Sequence, residues 1–182
     1  MYSVGDKIIY GENGVCTVDK IATLDMSGAS ADKLYYHLVP LVGSGVYFSP
    51  VDSNAFMRPV ISREEAEALI ASIDSIEPAI CTDTRFNHVD AFYKELFKQH
   101  SCEALVAIVK GLKGRMSEKK TKSSRAESTM KRARDMLHGE LSIALGIDFK
   151  DVEEYICARC GKRYVNIDMQ KAVAHKSHRF VY

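Results

Sequence analysis

Hydrophobic and polar residues alternate in short runs over the first fifty residues, which is the pattern of β-strands. The first run ends at Gly11-Glu12-Asn13-Gly14, a turn sequence. Pro50 cannot donate a hydrogen bond to a neighbouring strand, so the last run should end there or lie at a sheet edge. The runs cover residues 4–10, 15–21, 34–41 and 46–51. Short strands at this spacing predict a small antiparallel barrel.

The period of the hydrophobic positions becomes helical after Ile61. Ser62 and Glu65 have the spacing of a capping box, which predicts a helix over Arg63–Ile73. Hydrophobic residues then recur at helical spacing over residues 89–97, 105–116 and 125–145. Gly146 should end the last of these helices.

These patterns predict an α+β protein with two domains: a small antiparallel β-barrel, then an α-helical bundle and a short C-terminal tail. Pro78 and several polar residues mark a linker between the two domains. The predicted segments are a β-domain at residues 1–73, a linker at 74–84, a helical domain at 85–150 and a tail at 151–182.

Composition limits the class of protein. The chain of 182 residues carries 25 Lys and Arg against 24 Asp and Glu, so it is not an overall polycation that coats nucleic acid. Because there is no run of 18 apolar residues and no signal-peptide pattern, we expect a cytoplasmic protein without a membrane partner. Charge is nevertheless uneven, since residues 110–134 hold ten basic and two acidic side chains. This segment is either a local anion-binding surface or a solvated helix face with a basic loop.

The order of several short motifs resembles the CarD/CdnL family of bacterial transcription regulators over roughly residues 2–150. In the first half they are Val4–Tyr10, Gly14-Val15, Tyr35-Tyr36, Pro50-Val51 and Met57–Ser62. In the second half they are Leu105–Arg115, the basic loop, Met130–Leu137 and Glu140-Leu141. The resemblance implies that the β-domain is Tudor-like and docks on the β subunit of RNA polymerase. It also implies that the helical domain contacts promoter DNA, places a Trp in the minor groove and stabilises the open complex.

The positions that match the family's polymerase-binding surface are Leu24 and Phe48, both uncharged. Docking could instead rest on strand pairing and apolar contacts around Val46, Tyr47 and Phe48. An ordinary barrel face, or docking on another partner, remains the alternative for these side chains.

The chain has no Trp, so the family's DNA wedge needs a substitute. An ungapped match places Phe86 at the wedge position, whereas a gapped match places Thr82 near it. Phe is a known wedge residue, but Phe86 could also pack in the core or cap a helix. Arg85 is the nearest cation, and His88 stands where the family tends to carry a basic residue.

The basic segment supplies further candidates for contacts with DNA phosphates. Long cations on a helix and its preceding loop reach phosphates without reading bases, so we expect sequence-tolerant binding. The candidates are Lys119, Lys120, Lys122, Arg125 and Arg132.

The tail contains a C-x2-C-x14-H-x2-H pattern formed by Cys157, Cys160, His175 and His178. Thiolates and imidazoles in that order can complete a tetrahedral zinc shell. Two free thiols and two exposed histidines are the alternative. We expect no cofactor to be required elsewhere.

No catalytic motif is present, and His100 and Cys102 lack a third group that would make them a base and a nucleophile. The sequence therefore predicts a monomeric, non-enzymatic regulator that docks on RNA polymerase and contacts promoter DNA. The alternative is a protein-interaction module on the same scaffold that has lost the wedge, with a zinc-stabilised tail.

Overall fold

The computed structural model describes residues 1–24, 32–83, 85–118 and 124–160. The strands are β1 Lys7–Tyr10, β2 Val15–Ala22, β3 Tyr35–Pro40, β4 Tyr47–Pro50 and β5 Met57–Pro59. The helices are α1 Arg63–Ser72, α2 Phe86–Phe97, α3 Cys102–Glu118, α4 Ser124–Leu145 and α5 Val152–Cys160. Short 3-10 helices lie at Gly11–Asn13, Ile73–Ser75 and Phe149–Asp151.

The strands form an antiparallel sheet in the order β4-β3-β2-β1-β5. The sheet and helices confirm the α+β class. β4 and β5 lie at the two ends of this order, and no pairing between them closes a barrel within the described part of the chain. Barrel closure and the two-domain division therefore stay predictions.

The described residues form a core of two hydrophobic clusters. The smaller one lies in the sheet and contains Ile8, Cys16, Val18, Tyr36 and Leu38. The larger one lies among the helices, and α1 contributes Ala66, Leu69 and Ile70 to it. Packing thus groups α1 with the helices, although the predicted β-domain extends to residue 73.

The capping box that starts α1 is present as predicted. The Ser62 hydroxyl accepts a hydrogen bond from the Glu65 backbone N–H at 3.1 Å, and the Glu65 carboxylate accepts one from the Ser62 N–H at 2.7 Å. These bonds satisfy two backbone donors that a helix start would otherwise leave without partners.

The sheet meets α4 along a close contact. Gly139 of α4 packs against side chains of Val15 and Leu41, and a side chain at Gly14 would meet Met136 at 3.4 Å. These contacts place the β-strands beside the long helix of the basic segment.

None of the helices in the described ranges is long and apolar enough to cross a membrane.

Candidate interaction surfaces

The edge strand β4 exposes apolar side chains. Val46, Tyr47 and Phe48 are 44%, 37% and 39% exposed, respectively. β4 pairs with β3 on one side, and no strand of the described residues pairs with its other side. The backbone donors and acceptors of that free edge can pair with a strand from another protein. We call Val46, Tyr47 and Phe48 together with this edge the β4 surface.

Neighbouring rings hold the two aromatic side chains of the β4 surface. The Phe48 ring meets the His37 ring edge to face at 4.9 Å between centroids, and the Tyr47 ring lies 5.9 Å from that of Tyr10. Leu24 is half-buried two residues beyond the end of β2. Because Ala22 pairs with Tyr35, and Tyr35 with Pro50, Leu24 lies near the Pro50 end of β4. Leu24 therefore lies near the opposite end of β4 from Val46, and the structure brings together Val46, Tyr47 and Phe48 but not Leu24.

Phe86 is the first residue of α2 and is 57% exposed, so its ring does not pack in the core. The guanidinium of Arg125, from the first turn of α4, lies over this ring at 3.7 Å from its centroid. The ends of α2 and α4 therefore bring together two residues that the sequence predicted separately. Thr82, the alternative wedge position, is exposed in the segment that precedes α2.

Two of the predicted DNA-binding side chains, Arg85 and His88, share one carboxylate. The Arg85 guanidinium donates to both oxygens of Asp83, with an Nη2–Oδ2 distance of 2.7 Å, and this bond raises the pKa of Arg85. His88 Nδ1 lies 3.0 Å from the same Oδ2. Asp83 thus neutralises charge beside the exposed Phe86 ring.

Arg132 is engaged within the protein. Its guanidinium donates to the Glu12 carboxylate at 2.6 Å and to the Glu12 carbonyl at 3.2 Å, and it lies over the Phe97 ring at 4.6 Å. Arg132 therefore joins α4 to the turn after β1. The remaining predicted DNA-binding residues, Lys119, Lys120 and Lys122, lie outside the described residues.

A buried carboxylate in α4 joins the sheet to the helices. Glu140 is 1% exposed and pairs through both oxygens with the Arg58 guanidinium of β5. It also accepts hydrogen bonds from the Ile61 N–H at 3.1 Å and from the Cys102 thiol at 3.2 Å. Arg58 in turn donates to the His100 carbonyl at 3.0 Å. We call these four groups, Arg58, Ile61 N–H, Cys102 and Glu140, the Glu140 node.

Burial and the charge of Glu140 shape the protonation states of the node. Burial lowers the pKa of Arg58, but its bond to Glu140 outweighs that effect, and the net shift is upward. Burial, followed by the nearby Glu140 charge, strongly raises the pKa of the Cys102 thiol. Cys102 is therefore a protonated hydrogen-bond donor, which removes the thiolate that a nucleophile needs.

The Glu140 node was not predicted from the sequence, although one signal for it exists. Glu140 follows Ala133 and Leu137 at helical spacing and so lies on the apolar side of α4. A carboxylate at such a position is rarely buried without a partner. The partner itself could not be found, since Arg58 is 82 residues away in sequence.

The predicted tail site is only partly described. Cys157 and Cys160 lie one turn apart in α5, and the Cys160 thiol donates to the Ile70 carbonyl at 3.0 Å. Burial raises the pKa of Cys160. His175 and His178 lie outside the described residues, and within the described ranges no group of three or more His, Cys, Asp or Glu side chains could hold a metal ion. The zinc site stays a prediction.

The strands of the sheet lie in a segment that matches a known family of domains. Residues 2–61 match the model of the CarD-like/TRCF RID domain, so the match covers all five strands and ends before α1. A comparison with curated proteins finds no match. The RID domain is a Tudor-like, non-catalytic module that interacts with RNA polymerase. Residues 2–61 thus match the CarD-like/TRCF RID domain, and this match supports the resemblance of the chain to CarD-like proteins.

Proposed function

We propose that this protein is a non-enzymatic transcription regulator that docks on the β subunit of RNA polymerase and contacts promoter DNA to stabilise the open complex. The observation that carries the proposal is the β4 surface, an unpaired edge with exposed apolar side chains inside the segment that matches a polymerase-interacting domain. Such an edge is suited to pairing with a strand of the partner.

The docking mode follows from the chemistry of the β4 surface. Its exposed side chains, Val46, Tyr47 and Phe48, carry no charge. Main-chain hydrogen bonds along β4 would supply affinity, and the alternating side chains would supply specificity. Polymerase binding should therefore depend less on salt than binding through ion pairs would.

The DNA half of the proposal is supported by the exposed ring of Phe86 and the basic residues around it. An apolar side chain that enters a distorted base step can hold the minor groove open, while nearby cations bind phosphates. Arg125 already contacts Phe86, and the basic residues of the 119–122 segment directly precede α4 in the sequence.

The Glu140 node connects the sheet, which carries the β4 surface, to the helices, which carry Phe86 and Arg125. It bonds β5 to α4 and to the start of α3 through a carboxylate that is almost fully buried. A regulator that binds polymerase and DNA at the same time needs such a connection. The two binding free energies reinforce each other only when the distance and orientation between the two surfaces are fixed.

Specific contacts also favour a second candidate, a protein-interaction module without the DNA wedge. Asp83 binds both Arg85 and His88, and Glu12 binds Arg132. These pairs reduce the positive charge that could meet phosphates. In that case the β4 surface would still bind polymerase, whereas DNA would bind weakly or not at all.

Binding to purified polymerase β subunit tests the docking half. Val46→Asp places a charge on the β4 surface and should weaken binding by about tenfold or more. Val4→Asp is the matched control, since Val4 is 62% exposed and precedes β1, three strands from β4. We expect Val4→Asp to bind like the wild type. Equal binding by wild type and Val46→Asp would contradict docking through β4.

Fluorescence anisotropy with a labelled promoter fragment tests the DNA half. We expect binding at low salt that falls as salt rises, because phosphate contacts release counterions. Polymerase binding without any DNA binding at low salt would support the interaction module instead.

A further inference from the structure

We propose that Phe86 and Arg125 act as one composite DNA-binding element. In it the Phe86 ring stacks on an unstacked base while Arg125, held against the other face of the ring, binds the adjacent phosphate. The inference rests on the proposed DNA contact and specifies how that contact is made.

The first support is the geometry of the pair. The guanidinium carbon of Arg125 lies 3.7 Å from the centroid of the Phe86 ring, which is a stacking distance. The ring nevertheless remains 57% exposed. One face of Phe86 is thus covered by a cation, and much of the remaining surface is open to a base.

The second support is the shape of the guanidinium. Its five N–H donors lie in the plane of the group and point outward from its edge. Stacking uses the flat face and leaves that edge free, so Arg125 can contact the ring and a phosphate at the same time. A lysine ammonium is a point charge without a flat face and cannot make both contacts in this way.

The third support is the distribution of charge around the ring. Arg85 and His88, the other basic residues near the start of α2, both contact Asp83. No carboxylate pairs with Arg125 among the side chains that the structure describes. Arg125 is therefore the described cation that both touches Phe86 and keeps its charge available for a phosphate.

Stacking also prepares the element for binding. A lone exposed Phe samples several side-chain rotamers, and these are lost when the ring enters DNA. The Arg125 contact restricts the ring before binding, which lowers that cost. The two side chains should therefore contribute to DNA affinity in a coupled manner.

A double-mutant cycle on the full chain tests the coupling. The probe is a labelled fork-junction DNA, a duplex that ends in unpaired strands, and affinity is measured by anisotropy for wild type, Phe86→Leu, Arg125→Gln and the double variant. We expect each single variant to bind about fivefold to tenfold more weakly, and the double variant to bind about as weakly as the worse single one. Arg125→Lys should keep the salt dependence of binding yet lose about threefold in affinity.

Lys150→Gln is the matched control for loss of one positive charge. Lys150 is exposed and follows the C-terminal end of α4, whereas Arg125 lies at its N-terminal end. We expect this variant to bind the fork within about twofold of the wild type. Thermal melts establish that all variants fold.

Two outcomes would overturn the inference in distinguishable ways. In the first, wild type binds the fork, but the affinity loss of the double variant equals the product of the losses from Phe86→Leu and Arg125→Gln, or Arg125→Lys binds as tightly as wild type. The two residues then bind DNA independently, and only the composite element is wrong. If wild type binds neither fork nor duplex at low salt, the proposed DNA contact itself fails.

Discussion

His138 is a buried imidazole in the middle of α4, 4% exposed. Burial is the main cause that lowers its pKa to about 4, and the nearby cations Arg134 and Lys113 act in the same direction against the opposing charge of Glu153. The ring lies 6.0 Å from that of Phe149. His138 is consequently neutral in the folded protein at neutral pH.

The free energy of unfolding should therefore fall as the solution is acidified through this range. Between pH 6.5 and about 4 the unfolded chain binds a proton at His138 that the folded protein does not. The contribution of neutral His138 to the free energy of unfolding is therefore fully present above pH 6.5 and is lost towards pH 4. The total effect is about 3 kcal/mol. His138→Gln removes the titrating group, and urea denaturation at several pH values should show a shallower loss. An identical pH dependence in wild type and variant would contradict this assignment.

At the scale of elements, two glycines in neighbouring helices, Gly111 of α3 and Gly139 of α4, differ in the space available for a side chain. A side-chain carbon at Gly111 of α3 would lie 2.0 Å from the Ala79 carbonyl oxygen, because residues 76–80 run against that helix. The Ala79 N–H donates to the Ala107 carbonyl at 2.9 Å, which holds the segment in place. At Gly139 of α4, the nearest atoms are 3.6 and 3.8 Å away, an ordinary packing distance.

Replacing each glycine by alanine should therefore shift the free energy of unfolding in opposite directions. Gly111→Ala forces backbone atoms apart and should destabilise the protein by about 2 kcal/mol or more. Gly139→Ala adds no clash in a helix interior and should stabilise it by about 0.5–1 kcal/mol. Both are measured by urea denaturation under one set of conditions. Equal effects of the two changes would show that the Ala79 contact does not constrain Gly111.

The elements themselves were largely predictable from local pattern. The capping box placed the start of α1 at Arg63, and helical spacing placed α4 within one residue of its observed start. The three-residue strand β5, Met57–Pro59, was not identified as a strand, because its length gives no alternation to detect. It forms a strand through its pairing with β1, which is a tertiary contact.

The surfaces were predictable only in part, since they depend on what meets in space. Phe86 and Arg125 were each identified as candidates, but their stacking joins two helix starts that the sequence does not connect. The pairing of Arg85 with Asp83 is local, but that of Arg132 with Glu12 spans the chain. Such pairs decide which guanidinium groups already bind a carboxylate within the protein, and periodicity carries no information about them.

At the scale of the whole molecule, two ion pairs among the described residues connect the sheet and its β1–β2 turn to α4. The pair of Arg58 with Glu140 is mostly buried, with side-chain exposures of 24% and 2%, whereas that of Arg132 with Glu12 has exposures of 46% and 35%. Removing one member of a buried pair leaves a charge without a partner, but an exposed pair contributes little. The two pairs thus differ in their importance for stability.

Glu140→Ala should lower the free energy of unfolding by about 3–5 kcal/mol, because the Arg58 guanidinium and the Ile61 N–H lose their acceptor. Glu12→Ala is the matched control and should cost less than about 1 kcal/mol. Urea denaturation measures both. Similar costs for the two variants would contradict the role given to the Glu140 node.

In the proposed function, one molecule bridges RNA polymerase and promoter DNA. The most direct test is the lifetime of the open promoter complex after a competitor challenge, with no protein, wild type, Val46→Asp or Phe86→Ala. Wild type should prolong the lifetime of the open complex. Val46→Asp should not prolong it, because this variant no longer binds polymerase. Phe86→Ala should not prolong it either, although this variant still binds polymerase. A lifetime that Phe86→Ala prolongs as much as wild type would contradict the bridging account.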